Sequence, residues 1–234
     1  ANLATPNGTI MVSGTGFTMG VAAAVAPGGA VANWTFDETS GTTAVDSTGG
    51  NDGTIGGSIV LGQPARAGEN GTSFYFPDGE NLVTAGGIAL DNRSFTLAAW
   101  AKRENPNADY FFGQGAAGGN NALHAGFRNN QEATFAFYGD DSDHNNAQYN
   151  NTDWHHLVFT YDATNNDRHI YWDGADQPVD DNPAAGDFTG TGTFRIGGRW
   201  DGNDNFQGWL DDLYVYDSAL SQADVTQLYN ASEA

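Results

Sequence analysis

Cysteine is absent from the 234 residues. That excludes a disulfide framework, while cysteine absence alone does not fix a compartment. Positive charge is nearly as scarce. Lys102 is the single lysine, and with the arginines it makes a basic set of 8 against 29 acidic residues, for a net charge of −21 and a pI near 4.1. A surface of that sign repels nucleic-acid phosphates, so no nucleic-acid partner is expected. It suits surroundings rich in salt or calcium, where cations screen or occupy the carboxylates. Long hydrophobic runs are missing too. No stretch reaches the roughly 18 apolar residues of a membrane-spanning helix, so no membrane span is expected. The apolar segment from Met19 to Ala32 is broken by Pro27, Gly28 and Gly29 and lacks a basic flank, which makes it a poor signal peptide. The chain opens on Ala1 instead of Met, as expected of a processed or excised segment.

Glycine, asparagine and aromatic residues are plentiful, a composition of extracellular β-rich binding domains. Asn-x-Ser/Thr sequons begin at Asn7, Asn33, Asn70, Asn92, Asn150 and Asn230. So Asn-rich a chain produces these by chance, and they carry little weight for secretion. Residues 1–30 hold no charged side chain and contain two short candidate strands, Thr9–Val12 and Phe17–Val21. They read either as an edge hairpin or linker, or as an arm that pairs with another subunit's sheet. Residues 31–234 read as one domain of short strands separated by Gly- and Asn-rich turns. Candidate strands lie around Trp34, at Ser73–Phe76, Ser94–Ala101, Tyr110–Phe112, Leu123–Phe127, Ala133–Tyr138, Trp154–Tyr161, His169–Trp172, Thr193–Ile196 and Trp209–Tyr216. Trp154–Tyr161 is apolar on both faces, the mark of a central strand, and Asp173-Gly174 is a hairpin turn. Only Ser221–Tyr229 reads as a helix, with Ser221 as its N-cap. The expected fold is all-β: a two-sheet antiparallel sandwich with one short C-terminal helix.

Strict alternation along Trp209–Tyr216 puts Asp211, Leu213 and Val215 on one face. If that face is the core, Asp211 is a buried carboxylate in a chain short of organic cations. It then needs a metal, a cluster of donors or a proton. For oxygen ligands the economical metal is calcium.

Six pieces in order carry a resemblance: Trp34–Gly41, Asp46–Gly53, Phe95–Lys102, Trp154–Asp162, Ile170–Gly174 and Gly208–Ser221. Together they resemble the laminin-G-like jelly roll of the concanavalin A-like lectin/glucanase superfamily, over about residues 31–232. The resemblance implies two antiparallel sheets with a curved face, often one Ca2+ ion, and roles in glycan binding or adhesion. It also implies where the metal would sit, between the Asp46–Gly53 loop and the first Asp of Leu210-Asp211-Asp212. Asp46, Asn51 and Asp211 are the expected ligands, and the ion's role would be structural. The alternative is that Asp46 caps a turn and Asp211 accepts backbone hydrogen bonds.

Two other acidic loops, Asp141–Asn145 and Asp201–Asn205, place oxygens at the first, third and fifth positions of a calcium loop. Both lack the Gly and Glu that an EF-hand requires, so solvated turns are expected. They flank Tyr149 and Trp200, however, and sugars are held by aromatic faces together with planar amides and carboxylates. Arg199, Trp200, Asp201, Asn203 and Asn205 supply that mixture on one loop, and Asp141 and His144 extend it, with Asn120, Asn121 and His124 nearby. Ordinary polar turns around one structural Trp remain the alternative. His155 and His156 are adjacent on a strand, point to opposite faces and do not chelate one ion.

Catalysis finds little support. The glutamates stand at 38, 69, 80, 104, 132 and 233, and no two share a predicted strand as a retaining glycosidase pair would. No Gly-x-Ser-x-Gly element is present. The expectation is a non-catalytic, extracellular or cell-surface, calcium-stabilised module that binds a glycan or another cell-surface ligand. The alternative is a structural subunit of a filament, surface layer or virion that self-associates through residues 1–30.

Overall fold

The computed structural model describes residues 25–231, apart from 78, 80–81, 85, 106, 108, 130 and 178–185. The proposed arm at residues 1–30 therefore lies mostly outside the described residues. Sixteen strands occur among those described: β1 Ala30–Trp34, β2 Thr43–Ala44, β3 Gly53–Thr54, β4 Val60–Pro64, β5 Thr72–Phe76, β6 Leu82–Thr84, β7 Phe95–Arg103, β8 Asp109–Gly115, β9 Ala122–Asn129, β10 Glu132–Ala136, β11 Asp141–Asn145, β12 Trp154–Asp162, β13 Asp167–Trp172, β14 Ala175–Gln177, β15 Arg195–Ile196 and β16 Gly208–Tyr216. A single α-helix among the described residues, α1, spans Gln222–Ala231.

The strands form two antiparallel sheets. The first runs β14-β13-β12-β7-β16-β5-β4, with β1 also paired to β16; the second runs β11-β10-β9-β8-β15-β6-β3-β2. This is the expected jelly-roll sandwich. Its interior is largely aromatic, with Phe95, Phe111, Phe127, Phe135, Phe159 and Phe206 fully buried between the sheets. Each such ring removes about 150–250 Å² from water, and edge-to-face pairs such as Phe111–Phe127, at 5.7 Å and 87°, add to that burial. The longest strands, β7, β12 and β16, lie side by side, so their inner faces line the centre of the core.

A second, smaller apolar cluster lies on the outer face of the first sheet. There Val225 and Leu228 of α1 cover Ala98, Val158, Tyr171 and Tyr216, and Ala26 and Ala30 pack alongside. Ser221 caps α1 through Asp224, whose carboxylate accepts from the Ser221 hydroxyl at 2.6 Å and its N–H at 3.1 Å. Residues 25–27 are tied to the same face. Tyr216 Oη donates to the Pro27 carbonyl at 3.1 Å and Gln227 Nε2 to the Val25 carbonyl at 2.8 Å.

Strict alternation fails in β16. Asp212 takes a left-handed φ of 46°, and the β16–β7 register shifts between Asp211 and Tyr214. The extra residue of this bulge re-aims everything before it. Leu210, Leu213 and Val215 all face the core. Asp211 instead stands opposite Trp100 on the outer face, 3% exposed. The expectation that Asp211 shares the core face with Leu213 and Val215 is thus corrected: one bulge flips every side chain N-terminal to it.

Candidate functional site

An open cleft of about 540 Å³ lies on the outer face of the second sheet, lined by Tyr110, His124, Arg128, Tyr138, Gly139, Asp141, Arg199, Trp200 and Asp201. Its floor follows from the period of β9. Leu123, Ala125 and Phe127 enter the core, so His124 and Arg128 must face outward. Across the ladder, Asp141 and Asp143 of β11 pair with Ala136 and Thr134 of β10 and share that outward face. Arg128 binds both carboxylates, with Nη2 2.5 Å from Asp141 Oδ2 and Nε 3.1 Å from Asp143 Oδ1.

The other wall is the loop that leaves β15. Its backbone is fastened to β8: Gly197 N–H donates to the Phe111 carbonyl at 2.8 Å and Tyr110 N–H to the Asp204 carbonyl at 3.3 Å. Gly113 makes this close approach possible, because a Cβ there would overlap main-chain atoms of Arg199 and Trp200. Arg195 Nη1 donates to the Trp200 carbonyl at 2.5 Å. Within the loop Arg199 grips Asp201 with two N–H groups, at 2.7 and 3.1 Å, and reaches Asp204 at 2.5 Å. Asn203 adds donors from its N–H at 3.1 Å and its amide at 2.9 Å. Burial raises the Asp201 pKa, but the hydrogen bonds from Arg199 and Asn203 outweigh it and bring the group down to about 2. Asp201 is a fixed carboxylate at any ordinary pH.

Tyr138 comes from the turn between β10 and β11, is 46% exposed and holds a left-handed φ of 67°. Its ring meets Trp200 edge to face, with centroids 6.0 Å apart. His124 is pushed down in pKa by burial and so is neutral. Its Nδ1 lies 3.0 Å from the Ala122 carbonyl, an acceptor only, so Nδ1 carries the proton and Nε2 is left as an acceptor. The cleft combines two half-exposed rings, planar guanidiniums, carboxylates and a neutral imidazole.

Of the residues singled out from the sequence, Arg199, Trp200, Asp201 and Asp141 come together in the cleft. Asn203 stands behind Asp201 as its donor. Asn205 forms an isolated bridge to Tyr110, and its Oδ1 is buried with no hydrogen-bond partner among the described residues. His144 is not brought in. It pairs with Ala133 on the inward face of β11 and contacts the Tyr149 hydroxyl at 2.7 Å. Asp141–Asn145, expected as a turn, is an edge strand, because Arg128 offsets the charges of Asp141 and Asp143. Tyr110, Arg128 and Tyr138 also line the cleft, and the sequence does not mark them as site residues. The Ala133–Tyr138 strand signal treats Tyr138 as one more alternating residue, and nothing local shows that it turns outward after β10.

The expected calcium ligands do not converge. Asp46 is 2% exposed, and its two oxygens accept from six donors. These are the N–H groups of Asn33, Thr48, Gly50 and Asn51, the Thr48 hydroxyl and the Asn51 amide. Burial pushes its pKa up, and the bonds from Asn33, Thr48 and Asn51 more than reverse that. Protein donors surround both of its oxygens. The Asn51 carbonyl accepts from Trp34 Nε1 at 3.1 Å. Asp211 belongs to another neighbourhood, with Asp212, Asp37 and Arg66. Arg66 pairs with Glu69, lies 3.6 Å from Asp212 and sits over the Trp100 ring at 4.2 Å. No group of three or more His, Cys, Asp or Glu among the described residues is arranged to hold a metal ion. Asp46, Asn51 and Asp211 as placed do not fit one calcium site.

Two antiparallel sheets packed face to face define a concanavalin A-like jelly roll. The chain belongs to the laminin-G-type family of the concanavalin A-like lectin/glucanases superfamily, whose profile matches residues 77–226. No curated protein matches it. Among solved structures it is similar to domain 4 of AbnA, an extracellular arabinanase from Geobacillus stearothermophilus, in complex with arabinotriose. The identity is 22%, over 86% of this chain and 98% of that one, with a TM-score of 0.66. It is also similar to a botulinum neurotoxin type C structure whose cell entry depends on two ganglioside molecules (13% identity, 88% of this chain, 52% of that one, TM-score 0.59). The botulinum neurotoxin D binding domain gives 10% identity over 86% of this chain and 50% of that one, with a TM-score of 0.61. The chain thus spans about half the length of the toxin chains. At these identities the likeness is one of fold.

Proposed function

We propose that the chain is a non-catalytic extracellular binding module that holds a neutral saccharide in the cleft lined by Tyr138 and Trp200. The observation that carries this reading is the meeting of two half-exposed rings with ion-paired guanidiniums and carboxylates in one open cleft. Rings take the C–H faces of a sugar, and planar charged groups in fixed orientation take its hydroxyls. Trp200 and Tyr138 supply the stacking surface, while Asp141, Asp201, Arg128 and Arg199 supply acceptors and donors, and Asn203 holds Asp201 in place. Four carboxylates, Asp141, Asp143, Asp201 and Asp204, face two guanidiniums, so the site disfavours a further negative charge and favours an uncharged sugar. Fold relatives add support: one is solved with arabinotriose and another belongs to a toxin that uses gangliosides.

The non-catalytic part is supported at Asp201, the carboxylate that Arg199 and Asn203 hold in the cleft. A general acid must hold a proton near the working pH, and Asp201 is held at about 2. Electrophoresis through gels containing neutral polysaccharides tests the reading. At least one polymer should retard the protein, and Trp200→Ala should lose that retardation. Release of reducing ends from the same polymers would overturn the non-catalytic assignment.

A further inference from the structure

A row of side chains crosses the outer face of the first sheet beyond the cover of α1. Trp154 of β12 is the register partner of Lys102 of β7, Lys102 of Trp209 of β16, Trp209 of Tyr75 of β5, and Tyr75 of Val60 of β4. Partners across an antiparallel ladder point to the same side. Ala101 enters the core, so Lys102 and its whole row face outward. At a strand spacing of about 4.8 Å the row is roughly 19 Å long. Trp154, Lys102, Trp209 and Tyr75 are half-buried, and Val60 is 44% exposed. Gln63, Pro64 and Ala65 wall the Trp154–Lys102–Trp209 part of the row into a groove of about 190 Å³.

Lys102 is the only lysine in a chain of net charge −21. Its ammonium lies 5.0 Å from the centre of the Trp209 ring and has no ion-pair partner among the described residues. Arg66, Arg103, Arg128, Arg168 and Arg199 all have a carboxylate. Glu104, two residues beyond Lys102 on the same face, borders the row but is bonded to its neighbours and not to Lys102. It accepts from Tyr75 Oη at 2.7 Å and from Gln207 Nε2 at 2.7 Å. A cation without a carboxylate of its own, between two tryptophans, is arranged for an anion brought by something else.

We propose that this groove is a second binding site, for a saccharide chain bearing carboxylates, such as a polyuronate. Trp154 and Trp209 take the C–H faces of its rings, and Lys102 takes one carboxylate by a charge-assisted hydrogen bond. The site is independent of the cleft and lies on the opposite face of the sandwich, so the domain presents an acid-rich face to neutral sugar and a lysine groove to acidic sugar.

Affinity electrophoresis of the full chain through polygalacturonate or alginate, each beside its carboxyl-reduced neutral counterpart, tests this. At least one acidic polymer should retard the protein and its reduced form should not. Lys102→Gln and Trp209→Ala should each weaken retardation about tenfold or more, the loss of one bond to a charged group. Trp209→Phe, which keeps a ring and the fold, should retain part of it, and Trp200→Ala should retain all of it. Retardation that survives both Lys102→Gln and Trp209→Ala overturns the proposal. So does equal retardation by the reduced polymers, or none by either acidic one.

Discussion

Tyr138 and Trp200 meet edge to face at 82° in the lining of the cleft, from loops more than sixty residues apart in the chain. Tyr138 holds a left-handed backbone there, which costs a non-glycine residue about 1–2 kcal/mol. Strain of this kind persists where the surroundings impose it. Tyr138→Gly relieves it while removing a ring that is 46% exposed. The melting temperature should be no lower than that of the parent, while saccharide affinity falls about threefold or more, the worth of an aromatic contact. Paired thermal melts and titrations read both.

Gly113 sets how closely the Arg199–Trp200 main chain lies on β8. Gly113→Ala pushes that loop away, and overpacking of this sort costs about 1–3 kcal/mol. A melting temperature lower by several degrees, together with lost saccharide binding in protein that is still folded, is the expected result.

Arg103 and Asp109 form a buried pair between the two sheets, 4% and 3% exposed, with Nε and Oδ2 3.0 Å apart. Arg103 also donates to the Tyr149 carbonyl at 3.2 Å and stacks on Phe127. Asp109→Ala strands the guanidinium and should cost about 3–5 kcal/mol by urea unfolding. Replacing both, Arg103→Met with Asp109→Leu, should recover most of that loss.

Burial, with the Asp212 charge beside it, lifts Asp211 from 3.8 to about 8, and burial lifts Asp212 to about 6; Arg66 pulls both the other way. The folded state therefore binds these protons more tightly than the unfolded chain does. Their contribution to stability is full below about pH 4 and is lost as pH rises through 6 and then 8. Thermal melts from pH 5 to 9 should fall steadily for the parent. Asp211→Asn should flatten that fall and melt above the parent at pH 9. Because Arg66 supplies the positive charge here and donors fill Asp46, melts in calcium and in chelator should superimpose.

Much of the sandwich is legible in the sequence. β7, β12 and β16 announce themselves by dense branched and aromatic residues, and α1 by Ser221 and the Val225–Leu228 spacing. The Asp173-Gly174 turn is written in two residues with left-handed φ of 50° and 77°. What stays hidden depends on pairing. The bulge at Asp212 has no local signature, and it moves Asp211 from the core to the outer face. β11 looks like a solvated loop until Arg128, on β9, is seen to offset its acids. The Trp154–Lys102–Trp209–Tyr75 row exists only once four strands are in register. Of the cleft, Arg199, Trp200, Asp201 and Asp141 could be read because aromatic, amide and charged residues cluster along two loops. Arg128 and Tyr138 could not, since nothing near them in the chain resembles a site.

The most direct measurement is calorimetric titration of a set of neutral oligosaccharides, arabinotriose included, into the parent protein, Trp200→Ala and Trp209→Ala. Binding of at least one sugar, weakened about tenfold or more by Trp200→Ala and unchanged by Trp209→Ala, is the predicted result. Failure of every neutral sugar to bind, or equal affinity in Trp200→Ala and the parent, would contradict a saccharide site in the cleft lined by Tyr138 and Trp200.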